Sequence, residues 1–394
     1  MKINVGVFFG GNSVEHEVSI ITAIQAIENI DKEKYNVIPI YISKENKLYC
    51  GNKIGDIENY RDIPKLISDS FEITLMQKDK RVALYKINYK IFSKRIFDYI
   101  DVAFPIVHGT NVEDGTIQGY LKMFNIPFVG CEVMASSLGM DKYYFKCVMK
   151  ENNIPVLDAL KVNDYEYEES ENKVLKNIQD KFEFPVIIKP INLGSSVGIK
   201  IAKNKKELKE AIENAFEFSN KILIEKAIKN MKEVNCSVLG SAAECRASEC
   251  EEPVKSDEIL SYKDKYISGE KGGSKSMNAG CLKLPADITK EQRKEIQRLS
   301  IETFKALECN GVVRIDYIID QDDGIIYVNE INTIPGSLSF HLWKATKKPY
   351  NELLDKLIEL ALEKKRMEDA RTFSYDTNIL SGVTLSGLKG LKNK

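Results

Sequence analysis

The spacing of apolar residues predicts alternating strands and helices over the first third of the chain. Residues 3–9 form a short β-branched run, and residues 18–30 have the apolar spacing of a helix. Residues 35–42 and 99–107 are predicted to be further strands. Strands that alternate with helices favour a parallel α/β layer, so we expect a first domain over residues 1–134.

Two further blocks follow, after a polar insertion. Residues 43–93 show only a weak alternation and predict loops and a hairpin added to the first domain. Beyond residue 135, a helical stretch passes through Asp141 and Lys142. Two paired strands joined by a Gly- and Ser-containing linker, one helix and two more strands are then expected to form an α+β unit, at residues 184–189, 198–202, 205–218, 221–225 and 233–239.

A longer helix and two strands complete the pattern, at residues 290–307, 311–319 and 325–331. The predicted fold class is therefore α/β followed by α+β. We expect a central domain over 135–240, a C-terminal domain over 241–364 and a weakly ordered tail over 365–394.

The composition excludes several classes of partner. The 394 residues include 57 Lys and Arg against 58 Asp and Glu, so a net charge of -1 provides no overall field that attracts nucleic acid or an anionic membrane. No stretch reaches the roughly 18 apolar residues of a membrane span, and the start lacks a signal-peptide pattern. We expect a cytoplasmic protein that binds neither nucleic acid nor membranes.

The cysteines are better explained as structural thiols than as metal ligands. Cys236, Cys245 and Cys250 lie close together in sequence, but the eight cysteines include no CxxC pair and the chain has only three histidines.

Polar residues on the last two predicted strands form the strongest candidate site. Arg314 and Asp316 alternate on one strand, as Glu330 and Asn332 do on the next, so each pair points to one face. Two carboxylates and an amide are oxygen ligands that suit Mg²⁺, and a guanidinium beside them can stabilise charge on a reacting group. The alternative is a salt bridge across solvated strands, but the apolar neighbours and the following Pro335-Gly336 favour function.

A Gly- and Ser-rich loop at residues 194–198 follows Lys189, which ends a predicted strand. The backbone N–H groups of such a loop can close over phosphates while the lysine provides positive charge. An ordinary hairpin turn is the alternative, which the loop taken alone favours.

Two strand-to-helix junctions of the first domain also carry polar residues. Glu15 follows Ser13 at the first junction, where a helix N-terminus favours a substrate carboxylate and Glu15 could hold an ammonium group. His108 ends a later strand, shortly before Glu113 and Asp114. The alternatives are a helix cap at Ser13 and a first-turn acid at Glu15 that complements the helix dipole. Glu113 and Asp114 could likewise be acids at a helix start, and His108 could have a hydrogen-bonded structural role.

In this order, the four groups of residues resemble the D-alanine:D-alanine ligases of the ATP-grasp superfamily, over residues 2–364. The motifs that carry the resemblance are GGNSVEHEVS, HGTNVEDGTIQG, FVGCEVMASSLGMDK, FPVIIKPINLGSSVGI, YKDKY, RIDYIID and VNEINTIPG. The resemblance implies an N-terminal pre-ATP-grasp domain with a parallel sheet, followed by a two-lobed ATP-grasp domain. It also implies that ATP phosphorylates one amino acid and that a second one attacks the acyl phosphate.

The resemblance further implies roles for individual residues. The ATP phosphates are expected to contact Lys142, Lys189, Ser196 and Lys265. The adenine is expected to contact Glu225, Lys226, Ala227 and Ile228, and the ribose to contact Glu233. Two Mg²⁺ ions, or Mn²⁺ in their place, are expected at Asp316, Glu330 and Asn332. Glu15 is expected to hold the ammonium group of the first D-alanine, and hydrogen bonds are expected to link it through Ser195 to Tyr266. His108 is expected near the carboxylate of that substrate. Arg314 and the backbone of Gly336 are expected to form the oxyanion site. A closing lid is expected over residues 256–276, where it would exclude water from the acyl phosphate.

The segment after Gly336 departs from the family pattern. The family binds the carboxylate of the second substrate with threonine and serine before a proline, whereas this chain has Ser339 and His341 in a segment without that proline. The acceptor is therefore open among D-alanine, D-serine, D-lactate and other small nucleophiles. A histidine there would make acceptor binding depend on pH, unless His341 faces away and packs beside Trp343.

Three functions remain at this point. The first is a D-alanine:D-alanine ligase for peptidoglycan precursors, with ATP and small amino acids as substrates. The second is a paralogous ATP-grasp ligase with another acceptor or donor. The third is a catalytically silent nucleotide-binding protein, against which the complete metal and phosphate set argues. The resemblance also implies a homodimer formed through the first domain.

Overall fold

The computed structural model describes residues 2–79, 81–89, 93–194, 197–253 and 282–372. Within them the chain forms three sheets, and the predicted fold class of an α/β layer followed by α+β units is confirmed. Every helix in these ranges is too short or too polar to cross a lipid bilayer.

The first sheet has seven strands in the order β6-β5-β4-β3-β2-β1-β7. They are β1 (Ile3–Gly10), β2 (Tyr35–Ile42), β3 (Leu48–Cys50), β4 (Phe71–Lys78), β5 (Arg81–Lys86), β6 (Ile96–Ile100) and β7 (Val102–Val107). β1 pairs in parallel with both β2 and β7, and the other pairs are antiparallel. The accompanying helices are α1 (His16–Asn29), the 3-10 helix Ile57–Asp62, α2 (Ile63–Ser68) and α3 (Thr116–Met123).

Two details of the first domain differ from the sequence prediction. The single strand expected over 99–107 is two strands, because Asp101 exchanges two hydrogen bonds of 2.9 Å with the backbone of Asn4 and breaks the run. The insertion at 43–93 supplies three strands of the same sheet rather than loops and a hairpin alone.

The second sheet has four antiparallel strands in the order β10-β9-β11-β8. Helices α4 (Val133–Met140) and α5 (Lys142–Glu151) precede it in the chain. The strands are β8 (Ala159–Asn163), β9 (Val186–Pro190), β10 (Lys200–Ala202) and β11 (Lys221–Lys226). Helices α6 (Asp164–Lys181) and α7 (Lys205–Phe216) share an apolar core with this sheet.

The third sheet has five antiparallel strands in the order β14-β13-β12-β15-β16. They are β12 (Met231–Ser241), β13 (Cys245–Pro253), β14 (Leu282–Lys283), β15 (Asn310–Asp320) and β16 (Ile326–Asn332), with helix α8 (Lys290–Ala306). One face packs with α5 and α8 through buried Phe145, Ile296 and Ile315, and the polar residues Arg314 and Asp316 alternate with Ile315 on β15.

The strand predicted at 233–239 belongs to this third sheet and not to the central unit. β12 pairs with β15 along its whole length, from Met231 opposite Asp320 to Ser241 opposite Asn310. The sequence prediction was wrong here because an apolar strand pattern does not show which neighbour it pairs with.

Two cysteines of this sheet face each other. Cys236 and Cys250 lie opposite each other on β12 and β13 as buried free thiols. In the described ranges they do not form a metal-binding group with Cys245.

The chain finally returns to the first domain. After β16 come a 3-10 turn (Gly336–Ser339), α9 (Phe340–Ala345) and α10 (Tyr350–Asp369). Leu353, Leu354 and Leu357 of α10 are fully buried in the core of the first sheet, and each contributes ~2 kcal/mol of hydrophobic stabilisation. This return places the 3-10 turn against α1, where Ser337 N–H donates to Thr22 Oγ1 at 3.2 Å.

Candidate active site

The four residues predicted at the metal site meet on one face of β15 and β16. Asp316 lies opposite Glu330 and Arg314 opposite Asn332. Arg314 Nε and Nη2 donate to the two carboxylate oxygens of Asp316 at 2.7 and 2.8 Å, and Asn332 Nδ2 donates to Asp316 Oδ2 at 3.2 Å. The salt bridge considered above is therefore present, between two residues of one strand, and it forms part of a larger polar cluster.

This cluster offers a donor set that fits magnesium. Asp316, Glu330 and Asn332 provide carboxylate and amide oxygens without histidine or thiolate. Among the residues that the structure describes, no group of three or more His, Cys, Asp or Glu side chains is placed to hold a metal ion. The other ligands of a bound ion would therefore come from phosphate oxygens and water.

Lys142 reaches this cluster from the start of α5. Asp141 caps the helix by accepting hydrogen bonds from the backbone N–H groups of Tyr143 and Tyr144 at 3.0 and 2.9 Å. Lys142 Nζ lies 3.6 Å from Glu330 Oε2 and donates to the Leu193 carbonyl at 2.8 Å. The helix start thus fixes a cation between this polar cluster and the backbone of Leu193.

Lys189 reaches the same region from β9. Its Nζ donates to Asn329 Oδ1 at 3.4 Å and lies 2.7 Å from Glu225 Oε2. Lys146 Nζ lies 2.6 Å from the other oxygen of Glu225, whose side chain is fully buried. Burial alone would raise the pKa of Glu225, but the two ammonium groups outweigh burial and lower the pKa to about 2.

The segment predicted to bind adenine ends β11, next to Lys189. Lys226 lies opposite Val186 of β9, and Ala227 N–H donates to the Pro185 carbonyl at 3.0 Å. Ile228 follows as a half-buried residue. The Glu225 side chain is directed to the two lysines. Glu233 lies on β12, where its charge helps to raise the pKa of Lys189.

Some predicted site residues lie outside the described residues. They are Ser195, Ser196, Lys265 and Tyr266. The whole predicted lid (256–276) and residues 373–394 of the predicted tail also lie outside them.

The Glu15 carboxylate lies between two glycine-containing loops. Its residue is only 9% exposed and precedes α1, where Ser13 Oγ accepts the Glu15 N–H at 3.1 Å and donates to the His108 carbonyl at 2.6 Å. Gly109 has φ +84°, and a Cβ there would lie 2.9 Å from Glu15 Oε2; one at Gly194 would lie 3.2 Å away. A side chain at either position would crowd the carboxylate, so glycine is what lets the backbone approach Glu15 this closely.

Both ring nitrogens of His108 are used in a buried network. Nδ1 lies 2.8 Å from the Ile334 carbonyl, and Nε2 lies 3.2 Å from Thr22 Oγ1. Thr22 Oγ1 also accepts from Ser337 N–H at 3.2 Å. Burial lowers the pKa of His108, although the charge of Glu15 opposes this. A neutral ring that donates from Nδ1 and accepts at Nε2 fits these contacts, so His108 has the structural role considered above and also lies beside the site.

Glu113 makes the second link between the first domain and the 333–337 segment. Its carboxylate accepts from Gly109 N–H at 3.1 Å, Ile334 N–H at 2.8 Å and Thr333 Oγ1 at 3.4 Å. Burial raises the pKa of Glu113 to about 7, and the charge of Glu15 acts in the same direction.

The free energy of unfolding should depend on the ionisation of Glu113. A folded pKa of about 7, above the ordinary 4.5, means that this contribution is fully present at low pH and is lost as the pH rises towards and through 7. We expect the stability of the wild type, measured relative to Glu113→Gln by denaturant unfolding, to fall by ~3 kcal/mol between about pH 4 and about pH 8. A difference that does not change with pH would contradict this ionisation.

The backbone after Gly336 is strained. Ser337, Leu338 and Ser339 have φ values of 48°, 51° and 51°. The left-handed region costs an L-residue ~1–2 kcal/mol. Such strain is typical of functional sites and needs fixed surroundings, which here include a 2.9 Å hydrogen bond from Ser337 Oγ to Gln25.

Ser339→Gly is expected to raise the free energy of unfolding by ~1 kcal/mol, because glycine tolerates a positive φ. The Ser339 side chain is fully buried, and its hydroxyl has no hydrogen-bond partner among the described residues, so glycine also removes an unsatisfied group. Ser337→Gly should gain less, since it loses the bond to Gln25. Denaturant midpoints of the two variants measure this, and a destabilised Ser339→Gly would contradict it.

His341 contacts a buried carboxylate rather than Trp343. His341 Nε2 lies 2.5 Å from Glu251 Oε2, and Asn235 Nδ2 donates to Glu251 Oε1 at 3.0 Å. Trp343 is buried separately and donates from Nε1 to Ser237 Oγ at 2.9 Å. The alternative in which His341 packs beside Trp343 was wrong, because Glu251 provides a charged partner on β13.

Glu251 belongs to a polar row that crosses the third sheet. Asn235 on β12 lies opposite both Glu251 on β13 and Asp316 on β15, and Asp316 lies opposite Glu330 on β16. Burial alone would raise the pKa of Glu251, but His341, Asn235 and the charge of Arg314 lower it. The row connects His341 to the polar cluster at Asp316 and Glu330.

Sequence reasoning missed the residues that support the predicted ones. Lys146 lies one helical turn after Lys142, a spacing typical of any charged helix, and Asn235 and Glu251 are isolated polar residues in strands whose partners were not known. Glu113 was noted only as an acid at a helix start.

Family models match most of the chain. The model described as D-ala D-ala ligase N-terminus matches residues 4–131, and the model described as D-ala D-ala ligase C-terminus matches residues 148–359.

Individual relatives and structures give the same result. A D-alanine--D-alanine ligase of Thermosipho melanesiensis is 40% identical over 379 residues, which cover 96% of this chain and 98% of that protein. The structure of the VanG D-Ala:D-Ser ligase from Enterococcus faecalis is similar with a TM-score of 0.76 and 32% identity, over 92% of this chain and 100% of that one. A D-alanine--D-alanine ligase from Bacillus anthracis complexed with ATP is similar with a TM-score of 0.64 and 26% identity, over 93% and 99%.

The family models and the relatives cover nearly the whole chain, and the polar face of the third sheet with its two lysines is consistent with that family. The chain belongs to the D-alanine–D-alanine ligase family, whose members are ATP-dependent ligases with the ATP-grasp fold.

Proposed function

We propose that this protein joins two D-alanine molecules through an acyl phosphate, at the expense of ATP, to supply peptidoglycan precursors. The observation that carries the proposal is the approach of Lys142 Nζ to Glu330 at 3.6 Å beside the Arg314–Asp316 pair. Cations and oxygen ligands gather there where the second and third sheets meet. Phosphoryl transfer between two anions needs such a set.

In this proposal the nucleotide binds between the second and third sheets. Its phosphates lie at Lys142 and Lys189, with Ser196 and Lys265. Its adenine lies along the main chain of residues 225–228, since the Glu225 side chain is held by the two lysines, and its ribose lies at Glu233. Asp316, Glu330 and Asn332 would hold two Mg²⁺ ions, which Mn²⁺ could replace. Bound metal would neutralise charge on the phosphates.

The chain's own residues orient the reacting groups. Glu15, supported by Ser195 and Tyr266, holds the ammonium group of the first D-alanine beside His108. A carboxylate oxygen of that substrate attacks the γ-phosphorus, and ADP leaves. The amine of the second substrate, after losing a proton, attacks the carbonyl carbon, and inorganic phosphate leaves. Arg314 and Gly336 N–H stabilise the negative charge on the carbonyl oxygen, and each such donor supplies ~3 kcal/mol.

The acceptor subsite lies at Ser339 and His341. D-Alanine is the proposed acceptor because the curated relatives are named for it. D-Serine is the second candidate, since one similar structure is a D-Ala:D-Ser ligase and this segment departs from the family pattern.

His341→Phe is expected to raise the KM for the acceptor about tenfold, because it removes a polar contact and leaves Glu251 without its imidazole partner. Glu251→Gln should have a similar effect, since it releases the imidazole. Glu252→Gln, next to it on β13, is the control. If the acceptor KM of His341→Phe equals that of the wild type, His341 does not contribute to the subsite.

We also propose that the enzyme acts in the cytoplasm as a homodimer. The first-domain surface is the proposed dimer contact, and the near-zero net charge favours small substrates over nucleic acid.

The direct test offers ATP, Mg²⁺ and single D- or L-amino acids and pairs, and records phosphate release together with the mass of any dipeptide. We expect D-alanine alone to give D-alanyl-D-alanine. A mixed product with D-serine would change the acceptor, and no turnover despite ATP binding would favour the silent nucleotide-binding protein.

A further inference from the structure

We propose that Lys146 is a positioning residue for ATP, because through Glu225 it determines the charge that Lys189 presents to the nucleotide. The inference rests on the proposed ATP-dependent function. Lys146, Glu225 and Lys189, here called the buried charge triad, have exposures of 3%, 0% and 7%.

Glu225 contacts both lysines of the triad. Glu225 places one oxygen 2.6 Å from Lys146 Nζ and the other 2.7 Å from Lys189 Nζ. Lys146 Nζ also lies 3.4 Å from the Leu157 carbonyl, which accepts a hydrogen bond from it. Because buried charges persist only when they are paired, these contacts fix all three side chains.

The charge count of the triad gives Lys146 its role. Two ammonium groups and one carboxylate leave one net positive charge. Lys189 and Glu225 alone would be a neutral pair with little attraction for a phosphate. Lys146 therefore supplies the charge that keeps Lys189 an effective cation, although Lys146 itself lies behind Glu225.

One contact and one helical spacing direct this charge to the proposed ATP site. Lys189 Nζ donates to Asn329 Oδ1 on β16, at the metal cluster. Lys146 lies one turn after Lys142 on α5, so the two lysines share one face of the helix and reach the site from the same element. In this proposal α5 therefore carries Lys142, which contacts the phosphates, and Lys146, which acts on them through Glu225 and Lys189.

The charge model can be separated from a purely structural role with three variants. Lys146→Met removes the cation but keeps an unbranched apolar side chain. Lys146→Met combined with Glu225→Gln restores the net charge of one, with Lys189 as its only carrier. Lys150→Met changes an exposed lysine of the same helix, which pairs with Asp158, and is the matched control. Far-ultraviolet circular dichroism and melting temperature report folding for each.

The measurement is the dissociation constant of Mg²⁺ with the non-hydrolysable analogue AMP-PNP, by isothermal titration calorimetry, together with KM for ATP and kcat. We expect Lys146→Met to weaken nucleotide binding about 10- to 30-fold, with kcat at saturating ATP changed less than about threefold. The double variant should bind within about threefold of the wild type. Lys150→Met should match the wild type.

Either of two results would overturn the inference: a folded Lys146→Met that binds the nucleotide as the wild type does, or a double variant that binds no better than the single one. If Lys146→Met does not fold, the double variant decides, because it must bind like the wild type. A wild type that binds no nucleotide would overturn the ATP-dependent function itself, which distinguishes the two failures.

Discussion

Replacing Asp316 with asparagine is expected to lower kcat by ~10³-fold while the protein remains folded. Asp316 accepts from Arg314 through both carboxylate oxygens and from Asn332, and it lies opposite Glu330. The amide removes one negative charge from the proposed metal ligands and can accept from Arg314 through one oxygen only. The rate of phosphate release at saturating substrates measures the effect.

Asp323→Asn is the matched control for this change. Asp323 is an exposed residue of the turn between β15 and β16, where its side chain accepts from Ile325 N–H. Its kcat should stay within about twofold of the wild type, since surface changes of this kind have small effects. If Asp316→Asn kept more than a tenth of the wild-type kcat with added Mg²⁺ at millimolar levels, Asp316 would not be a metal ligand.

Glu15→Gln is expected to raise the KM for the first D-alanine by ~10²-fold, because a buried ammonium group would lose its counter-charge. Glu15 is only 9% exposed, and Gly109 and Gly194 both lie close to its carboxylate. The dependence of phosphate release on D-alanine, fitted with separate constants for donor and acceptor, measures it. The acceptor constant should change little.

Glu17→Gln controls for the position of Glu15 at the start of α1. Glu17 is an exposed acid in the first turn of the same helix, so it shares the favourable interaction with the helix dipole but not the enclosed site. A similar KM change in both variants would mean that Glu15 only supports the helix.

The meeting of Arg314, Asp316, Glu330 and Asn332 could be predicted from the sequence because strand alternation is local. A spacing of two residues on each strand places Arg314 and Asp316 on one face, and Glu330 and Asn332 on one face. The order of β1, α1 and β2 was likewise predictable, since each element carries its own apolar period.

The supporting contacts could not be predicted, because they join residues far apart in the chain. Glu113 reaches Ile334, and Glu251 reaches both Asn235 and His341. β12 was assigned to the wrong sheet for the same reason: its apolar pattern fits either neighbour, and only the long-range pairing with β15 decides.

The buried charge triad illustrates a further limit. Lys146 and Lys189 are ordinary lysines in the sequence, and only the folded structure shows that one carboxylate, Glu225, contacts both. Resemblance placed Glu225 at the adenine, but its side chain is used to hold the two lysines.

Transfer of oxygen from D-alanine to phosphate tests the acyl-phosphate mechanism most directly. D-Alanine labelled with ¹⁸O in its carboxylate would be incubated with the protein, ATP and Mg²⁺, and the phosphate and dipeptide would be analysed by mass spectrometry. We predict one ¹⁸O atom in each inorganic phosphate released, together with D-alanyl-D-alanine, because the bridging oxygen of the acyl phosphate comes from the carboxylate. Unlabelled phosphate, or label in AMP, would contradict the account.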